Sequence, residues 1–311
     1  MLNGLLYLVT TVVWGCSWLA IEYQLGTVAP VVSVGYRFGL ASLLLFAWCA
    51  LRGQRLGFGA RAHGRFLLLG GLLFCLVYQL SYHGQQFITS ALAAISFSTL
   101  LWMNILNARL FFGSRAGKRV WCGSALGLAG IAMLFAPDLR QASLSGATIT
   151  GVGFCLLGAF VASLGNMVSQ KAQREGLPVL QSNAWGMLYG SACAAFIAGW
   201  QGEDWRLLMT PGYLWSLAYL VVFASIIGFG SYLKLLGRIG AQKAGYTMVM
   251  FPVVAVALSY GFEGMTLTRE ILVGGSLVLA GNLLVLLPGA RDTSSCEVAP
   301  DAGNSVASVS R

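Results

Sequence analysis

Gly123-Ser124-Ala125-Leu126-Gly127-Leu128-Ala129-Gly130 and Gly274-Gly275-Ser276-Leu277-Val278-Leu279-Ala280-Gly281 decide the fold. Setting residue n beside residue n + 151 puts Gly123 on Gly274, Leu126 on Leu277, Leu128 on Leu279, Ala129 on Ala280 and Gly130 on Gly281. Small residues at helical spacing make a stripe for close contact, and in lipid it is packing, not hydrophobicity, that draws helices together. Coincidence between two Gly- and Leu-rich helices is the plain alternative. How the rest of the chain divides decides between them.

Apolar stretches run at roughly 3–23, 30–51, 66–86, 89–110, 119–137, 149–170, 180–200, 212–234, 241–262 and 270–288. Each is long enough, or nearly so, to cross about 30 Å of hydrocarbon as a helix, whereas a membrane barrel would show alternating segments of about ten residues. The breaks carry Pro30, Pro137-Asp138, Gly176-Leu177-Pro178, Pro211-Gly212 and Pro288-Gly289. Composition agrees. With 57% hydrophobic and only 9% charged residues in 311, and a mean hydropathy of +0.76, the chain has too few charges to cover a soluble domain. Soluble enzyme, nucleic-acid binder and disordered scaffold are therefore set aside. Ten helices divide into two fives, residues 1–140 and 146–289, and because five is odd, two like-folded halves would lie in the membrane with opposite orientation. The expected fold is all-α: a polytopic membrane protein of ten transmembrane helices in two inverted five-helix repeats, as secondary transporters use for alternating access. Residues 290–311, rich in Ser, Gly and Ala and without an aromatic residue, read as a disordered cytoplasmic tail.

Charge tests this topology. The second, fourth, sixth and eighth breaks hold twelve basic residues, Arg52, Arg55, Arg61, Arg65, Arg109, Arg115, Lys118, Arg119, Lys171, Arg174, Arg238 and Lys243, while the other breaks hold only Arg140, Arg206 and Arg269. Positive loops stay in the cytoplasm, so both termini are expected there. The net charge of +9 is thus a sign of topology and not of a polyanionic partner.

Arg37 lies within Val34-Gly35-Tyr36-Arg37-Phe38-Gly39, seven positions into the second stretch. A charge at that depth either snorkels to the interface or lines a polar cavity. Glu22, one helix away at a similar level, is the expected partner or external gate. Among the other intramembrane polar and aromatic groups, Trp14, Tyr78, Tyr82, Trp102, Asn166 and Tyr246 are the candidates to line a substrate cavity, since amides, phenols and aromatic faces can bind polar organic solutes. Each has a plain reading as well: a bond to a neighbouring helix, or a place in the aromatic belt. A polar cavity reaching Arg37, Trp14 and Tyr82 would favour transport, and burial of all three against helices would favour an inert membrane protein. His63 and His83 read as solvent or headgroup residues and support no metal centre.

Seven scattered cysteines form no disulfide frame or zinc site. There is no HExxH, phosphate-binding loop or nucleophile elbow, so neither enzyme chemistry nor ATP-driven pumping is expected, and no cofactor or metal is implied.

The order of several weak motifs resembles the EamA-type family of drug/metabolite transporters over nearly all of residues 1–289. The residues that carry the resemblance are Trp14-Gly15-Cys16-Ser17-Trp18, then Pro30 and Arg37; later Tyr232-Leu233, Gly237, Ala241, Pro252, Glu263 and the Gly274 to Gly281 stretch. One departure stands out: the repeat offset puts Leu101 and Phe112 opposite Pro252 and Glu263, so the first half lacks that proline and carboxylate. The resemblance implies two inverted EamA domains around a cavity that opens to each side in turn, Pro252 and Glu263 serving at a kink and a helix end. It implies export of small polar or amphipathic metabolites, amino acids or related compounds first among them, across a bacterial inner membrane. The expected partners are a small-molecule solute and membrane lipids, with no nucleic acid, in a monomer or weak dimer. A non-transporting structural or interaction protein of the membrane is the alternative.

Overall fold

The computed structural model describes residues 2–24, 28–88, 93, 96–134, 136, 145–205, 210–250, 253–254 and 268–286, without the side chains of Trp18, Leu19, Glu22 and Leu286. Its helices are α1 (Leu2–Glu22), α2 (Pro30–Leu51), α3 (Ala60–Gln85), α4 (Leu100–Phe112), α5 (Lys118–Leu134), α6 (Gly146–Arg174), α7 (Val179–Gln201), α8 (Pro211–Ala244) and α9 (Arg269–Leu286). Every element among the described residues is helical, as a lipid-immersed backbone requires when no water can satisfy its amides. Four of these, α2, α3, α6 and α8, are long and apolar enough by themselves to span a membrane. The outer face is apolar, with Phe196, Trp200 and Trp215 at 73%, 84% and 77% exposure, so this is a polytopic membrane fold. Of the ninth apolar stretch, residues 241–250 and 253–254 fall within the described residues, helical at 246–250 and 253–254. Pro252, Glu263 and the tail 290–311 lie outside them.

Helix ends follow local chemistry. Pro30 begins α2 where its missing N–H costs nothing, and the Ser145 hydroxyl caps α6 by accepting from the Thr148 N–H at 3.2 Å. Gly240, at φ 81° and ψ 157°, breaks α8 within its last turns, a conformation that a side chain would resist.

Among the described residues, the seam between α5 and α9 is the most extensive helix contact. A methyl group at Gly123 would lie 2.6 Å from the Gly281 carbonyl oxygen, and one at Gly130 would lie 2.6 Å from that of Gly274. The converse holds: Gly281 would meet the Gly123 oxygen at 2.6 Å and Gly274 the Gly130 oxygen at 2.7 Å. Shifting each member of the pair 123·281 by the repeat offset returns the pair 130·274. The two matching sequence motifs therefore pack on one another reciprocally.

A second feature recurs at the same offset. α3 contains a π-helical stretch at Leu72–Leu76 and α8 one at Leu220–Phe229. Moving the first by 151 places it at 223–227, inside the second. The basic breaks also gather at one end of the bundle. Arg65 joins Glu175 through two hydrogen bonds of 2.8 and 3.2 Å, Arg174 lies 4.3 Å over Phe112, Gln242 donates to Ser114, and Arg238 donates to Asn3. Through these contacts the second, fourth, sixth and eighth breaks and the amino terminus share a side.

Candidate functional site

The buried centre is built on the π-helical part of α8. A π turn carries an extra residue and displaces carbonyls from their usual partners, so the element can accept bonds from outside itself. The indole Nε1–H of Trp14, from α1, donates to the Ala224 carbonyl at 2.9 Å, and the Nε–H of Arg37, from α2, donates to the Ser225 hydroxyl at 2.8 Å. Gly228 makes room for the first of these, because a methyl there would fall 2.5 Å from the indole nitrogen.

Arg37 is 5% exposed. Its guanidinium lies 5.1 Å from the centre of the Phe38 ring and 5.2 Å from that of Tyr78, whose hydroxyl is within hydrogen-bond reach, and Tyr82 is close enough to feel the charge. Cation–π contact with desolvated rings is worth about 2 kcal/mol or somewhat more, against a desolvation cost of several. Among the described residues no carboxylate lies within ion-pair distance: the one ion pair among them is Arg65–Glu175. The side chain of Glu22, the expected partner, lies outside the described residues. Around the cation, Phe38, Phe74 and Phe229 form an aromatic wall with ring centres 4.9–6.2 Å apart.

Trp14 continues the column. Its ring meets Phe229 at 4.8 Å and Tyr232 at 5.1 Å. The Tyr232 hydroxyl accepts from Asn166 Nδ2 at 2.9 Å, which donates also to Asn104 Oδ1 at 3.2 Å, and Asn104 Nδ2 donates to the Ala241 carbonyl at 3.3 Å. Four helices, α1, α2, α3 and α8, thus assemble the Arg37 end, while α4, α6 and α8 assemble the Asn166 end.

The structure brings Trp14, Arg37, Tyr78, Tyr82 and Asn166 into this column. Arg37 and Trp14 are buried against neighbouring helices and Tyr82 is half-buried, so two of the three residues that were to mark an open polar cavity are enclosed. Trp102 lies elsewhere, 38% exposed on the outer face and edge-on to Trp121 at 5.6 Å. Tyr246 is buried in a separate cluster, where its hydroxyl bonds to Ser124 at 2.6 Å and its carbonyl accepts from Tyr7, tying the chain after α8 to α5 and α1. His63 is not a solvent residue: its Nδ1 bonds to the Tyr189 hydroxyl at 2.8 Å and its ring packs on Trp185. Ser225, Phe38, Phe74 and Phe229 belong to the site but sit in apolar runs without a local signal. Only the repeat offset hints at one, since it carries Tyr78 onto Phe229. A groove of about 480 Å³ between α1 and α8, lined by Cys16, Ala20, Tyr23, Trp215 and Tyr219, opens on the outer face and does not include Arg37.

Residues 2–136 and 149–287 each match the profile of the EamA-like transporter family. The chain is 30% identical over 282 residues to an uncharacterized inner membrane transporter, YedA, of Escherichia coli K12, covering 88% of both chains. It is 28% identical over 303 residues to a protein of Salmonella typhimurium named a probable amino-acid metabolite efflux pump, covering 90% of this chain and 93% of that one. A crystal structure superposes with a TM-score of 0.78 at 16% identity, over 91% of this chain and 96% of the other, which shows a shared fold.

Proposed function

Since the chain belongs to the EamA-like transporter family and is thus a transporter rather than an enzyme, we propose that it exports small metabolites, amino acids or related carboxylates, from a bacterial cell by alternating access. The observation that carries the cargo reading is Arg37: a buried cation with neutral partners and no carboxylate among the described residues. An inert packing residue would keep an unoffset charge at a cost of several kcal/mol, whereas a transporter recovers it whenever an anionic solute pairs with the guanidinium. The name of the Salmonella relative points to the same class of cargo.

The halves 1–140 and 146–289 act as the two inverted five-helix repeats of a ten-helix protein. Their support is the reciprocal glycine seam and the π stretches at equivalent positions. The shared basic end faces the cytoplasm with both termini, which sets Arg37 and Trp14 in the external half and Asn166 in the cytoplasmic half. The enclosed column is a closed state, in which Trp14 and the Phe38, Phe74 and Phe229 wall separate the two ends. Pro252 and Glu263 are assigned to the ninth-helix kink and its external end, with Glu22 as an external gate.

The test is counterflow into liposomes holding the purified chain, with a mixed metabolite panel, with and without a proton gradient. Exchange of carboxylated solutes that Arg37→Ala lowers by tenfold or more at equal membrane abundance is expected. Equal exchange at equal abundance removes Arg37 from the site, and no exchange of any solute removes the transporter reading in favour of a structural membrane protein.

A further inference from the structure

The Arg37 end of the column is rich in donors, and the other end is the reverse. Asn104 is oriented by its bond to the Ala241 carbonyl, so its Oδ1 must face Asn166, and that in turn obliges Asn166 to present its NH₂ group to Asn104 and Tyr232. Turning the Asn166 amide over would set two carbonyl oxygens against each other. The chain of bonds therefore leaves Asn166 Oδ1 as a buried acceptor with no donor, on a residue only 1% exposed. One turn along the same face of α6, Gln170 Oε1 is likewise buried without a donor, on a residue 7% exposed. The Gln170 amide abuts Gly240, its Nε2 3.6 Å from where a Cβ there would stand, at the break in α8. Carbonyls at such a break are free to accept as well.

Other buried polar atoms without a partner stand on Thr11, Gln24, Gln79, Ser182, Asn183 and Asn282, but none of these belongs to the chain of bonds through Asn104, Asn166 and Tyr232. Asn166 is joined to Arg37 through Tyr232, Trp14 and α8. A buried acceptor left unmade costs about 1–3 kcal/mol, and here two of them stand one turn apart on α6 beside the break in α8, where a ligand would recover that cost. Two unpartnered amide oxygens on one face are complemented by a group that brings several N–H donors of its own.

We propose that Asn166 and Gln170 form a specificity subsite for the primary ammonium of the cargo, paired with the donor-rich Arg37 subsite for its carboxylate. This rests on the transport reading and deepens it. A solute with both groups is then read twice along its path, and one lacking the ammonium leaves Asn166 Oδ1 unmet.

Competition for counterflow tests it. Liposomes bearing the full chain exchange a mixture of the twenty radiolabelled amino acids, and for each one that is exchanged three unlabelled competitors are compared: the amino acid, its des-amino acid, and its decarboxylated amine. Asn166→Leu and Gln170→Leu are expected to weaken the amine by about tenfold or more, the worth of a hydrogen bond to a charged group, and to spare the des-amino acid. Asn166→Asp is expected to act oppositely, tightening the amine and rejecting the des-amino acid. It decides the matter if the leucine variants fail to fold. Unchanged amine-to-acid ratios in the folded variants overturn the subsite. So does a wild-type protein that exchanges the mixture yet is blocked only by des-amino acids, or one in which sodium rather than amine is what Asn166→Leu no longer feels, while the exporter reading survives both. Exchange of nothing, with no thermal shift from any competitor, overturns both together.

Discussion

Replacing Gly130 by alanine is expected to force α5 and α9 apart. The new methyl would lie 2.6 Å from the Gly274 carbonyl oxygen and 2.8 Å from the Val278 nitrogen, against an ordinary contact of 3.4 Å or more, so about 0.8 Å must be found. Val278 Cγ2, also 2.7 Å away, can turn aside, but the other two obstacles are backbone and no rotamer change moves them. A gap of that size forfeits a quarter to a half of the dispersion at neighbouring contacts along the seam, and overpacking of this kind costs about 1–3 kcal/mol, less up to about 1 kcal/mol from alanine's better helix propensity. Gly275→Ala is the control: no atom stands within 4 Å of its methyl, so it is expected to be neutral or slightly stabilising. Unfolding midpoints of the detergent-purified variants, followed by tryptophan fluorescence during titration with SDS, measure the difference. Gly281→Ala, at the equivalent place in the second copy, meets the Gly123 oxygen at 2.6 Å and should cost as much as Gly130→Ala. The double variant should cost less than the sum, because one separation of the helices accommodates both methyls. Stability of Gly130→Ala equal to that of Gly275→Ala would refute the seam, and strongly unequal costs at 130 and 281 would refute its reciprocity.

Two further outcomes follow from named contacts. Gly228→Ala must drive the Trp14 ring from its bond to the Ala224 carbonyl, so its loss of stability is expected to shrink when Trp14→Phe is combined with it; strict additivity in the double-mutant cycle would count against the contact. The exposed Arg65–Glu175 pair holds the Glu175 carboxyl below its ordinary 4.5, chiefly through the hydrogen bonds from Arg65. A depressed carboxylate stabilises the fold above its unfolded pKa and ceases to do so as pH falls through the lower, folded value, so the small difference in melting temperature between wild type and Glu175→Gln should close on acidification below about 4.5 and in high salt. A difference that persists at pH 2.5 would show that the pair is not its source.

The parts of this fold that could be read from sequence are those written in periodicity and spacing. Hydrophobic length located the helices, the motif at 123–130 and its counterpart at 274–281 foretold a close seam, and the basic breaks foretold which helix ends share a side. Arg37, Tyr78 and Tyr82 stood out because polarity in an apolar run is conspicuous. What the pattern does not carry is rotation about a helix axis. Trp14 and Trp102 are chemically alike in sequence, yet one faces Tyr232 and the other faces outward beside Trp121. Tyr246 is as buried as any candidate but turns to Ser124 instead of Trp14. The π geometry of Leu220–Phe229 has no marker in a run of apolar residues, so Ser225 could not be told from a serine that merely bonds its own helix.

That π stretch bears on how cargo and conformation are linked. A ligand moves an equilibrium only by binding one state better than another, so whatever Arg37 does for transport must be felt by an element with two arrangements. The guanidinium is attached to α8 through Ser225, one residue beyond the carbonyl that holds Trp14, and the two bonds come from different helices, α2 and α1. In the proposed cycle, an anion that engages Arg37 would compete for the same donors that reach Ser225, and weakening that bond would loosen α2 from α8 while α1 stays attached through Trp14. The repeat-equivalent stretch in α3 lies one residue before Val77 and Tyr78, the ring on which Arg37 rests. Both irregular segments therefore flank Arg37, the one buried charge among the described residues, so that in the proposed cycle the pairing of Arg37 with an anion would act where the hydrogen-bond ladders of α3 and α8 are already out of register and the cost of shifting them by a residue is least.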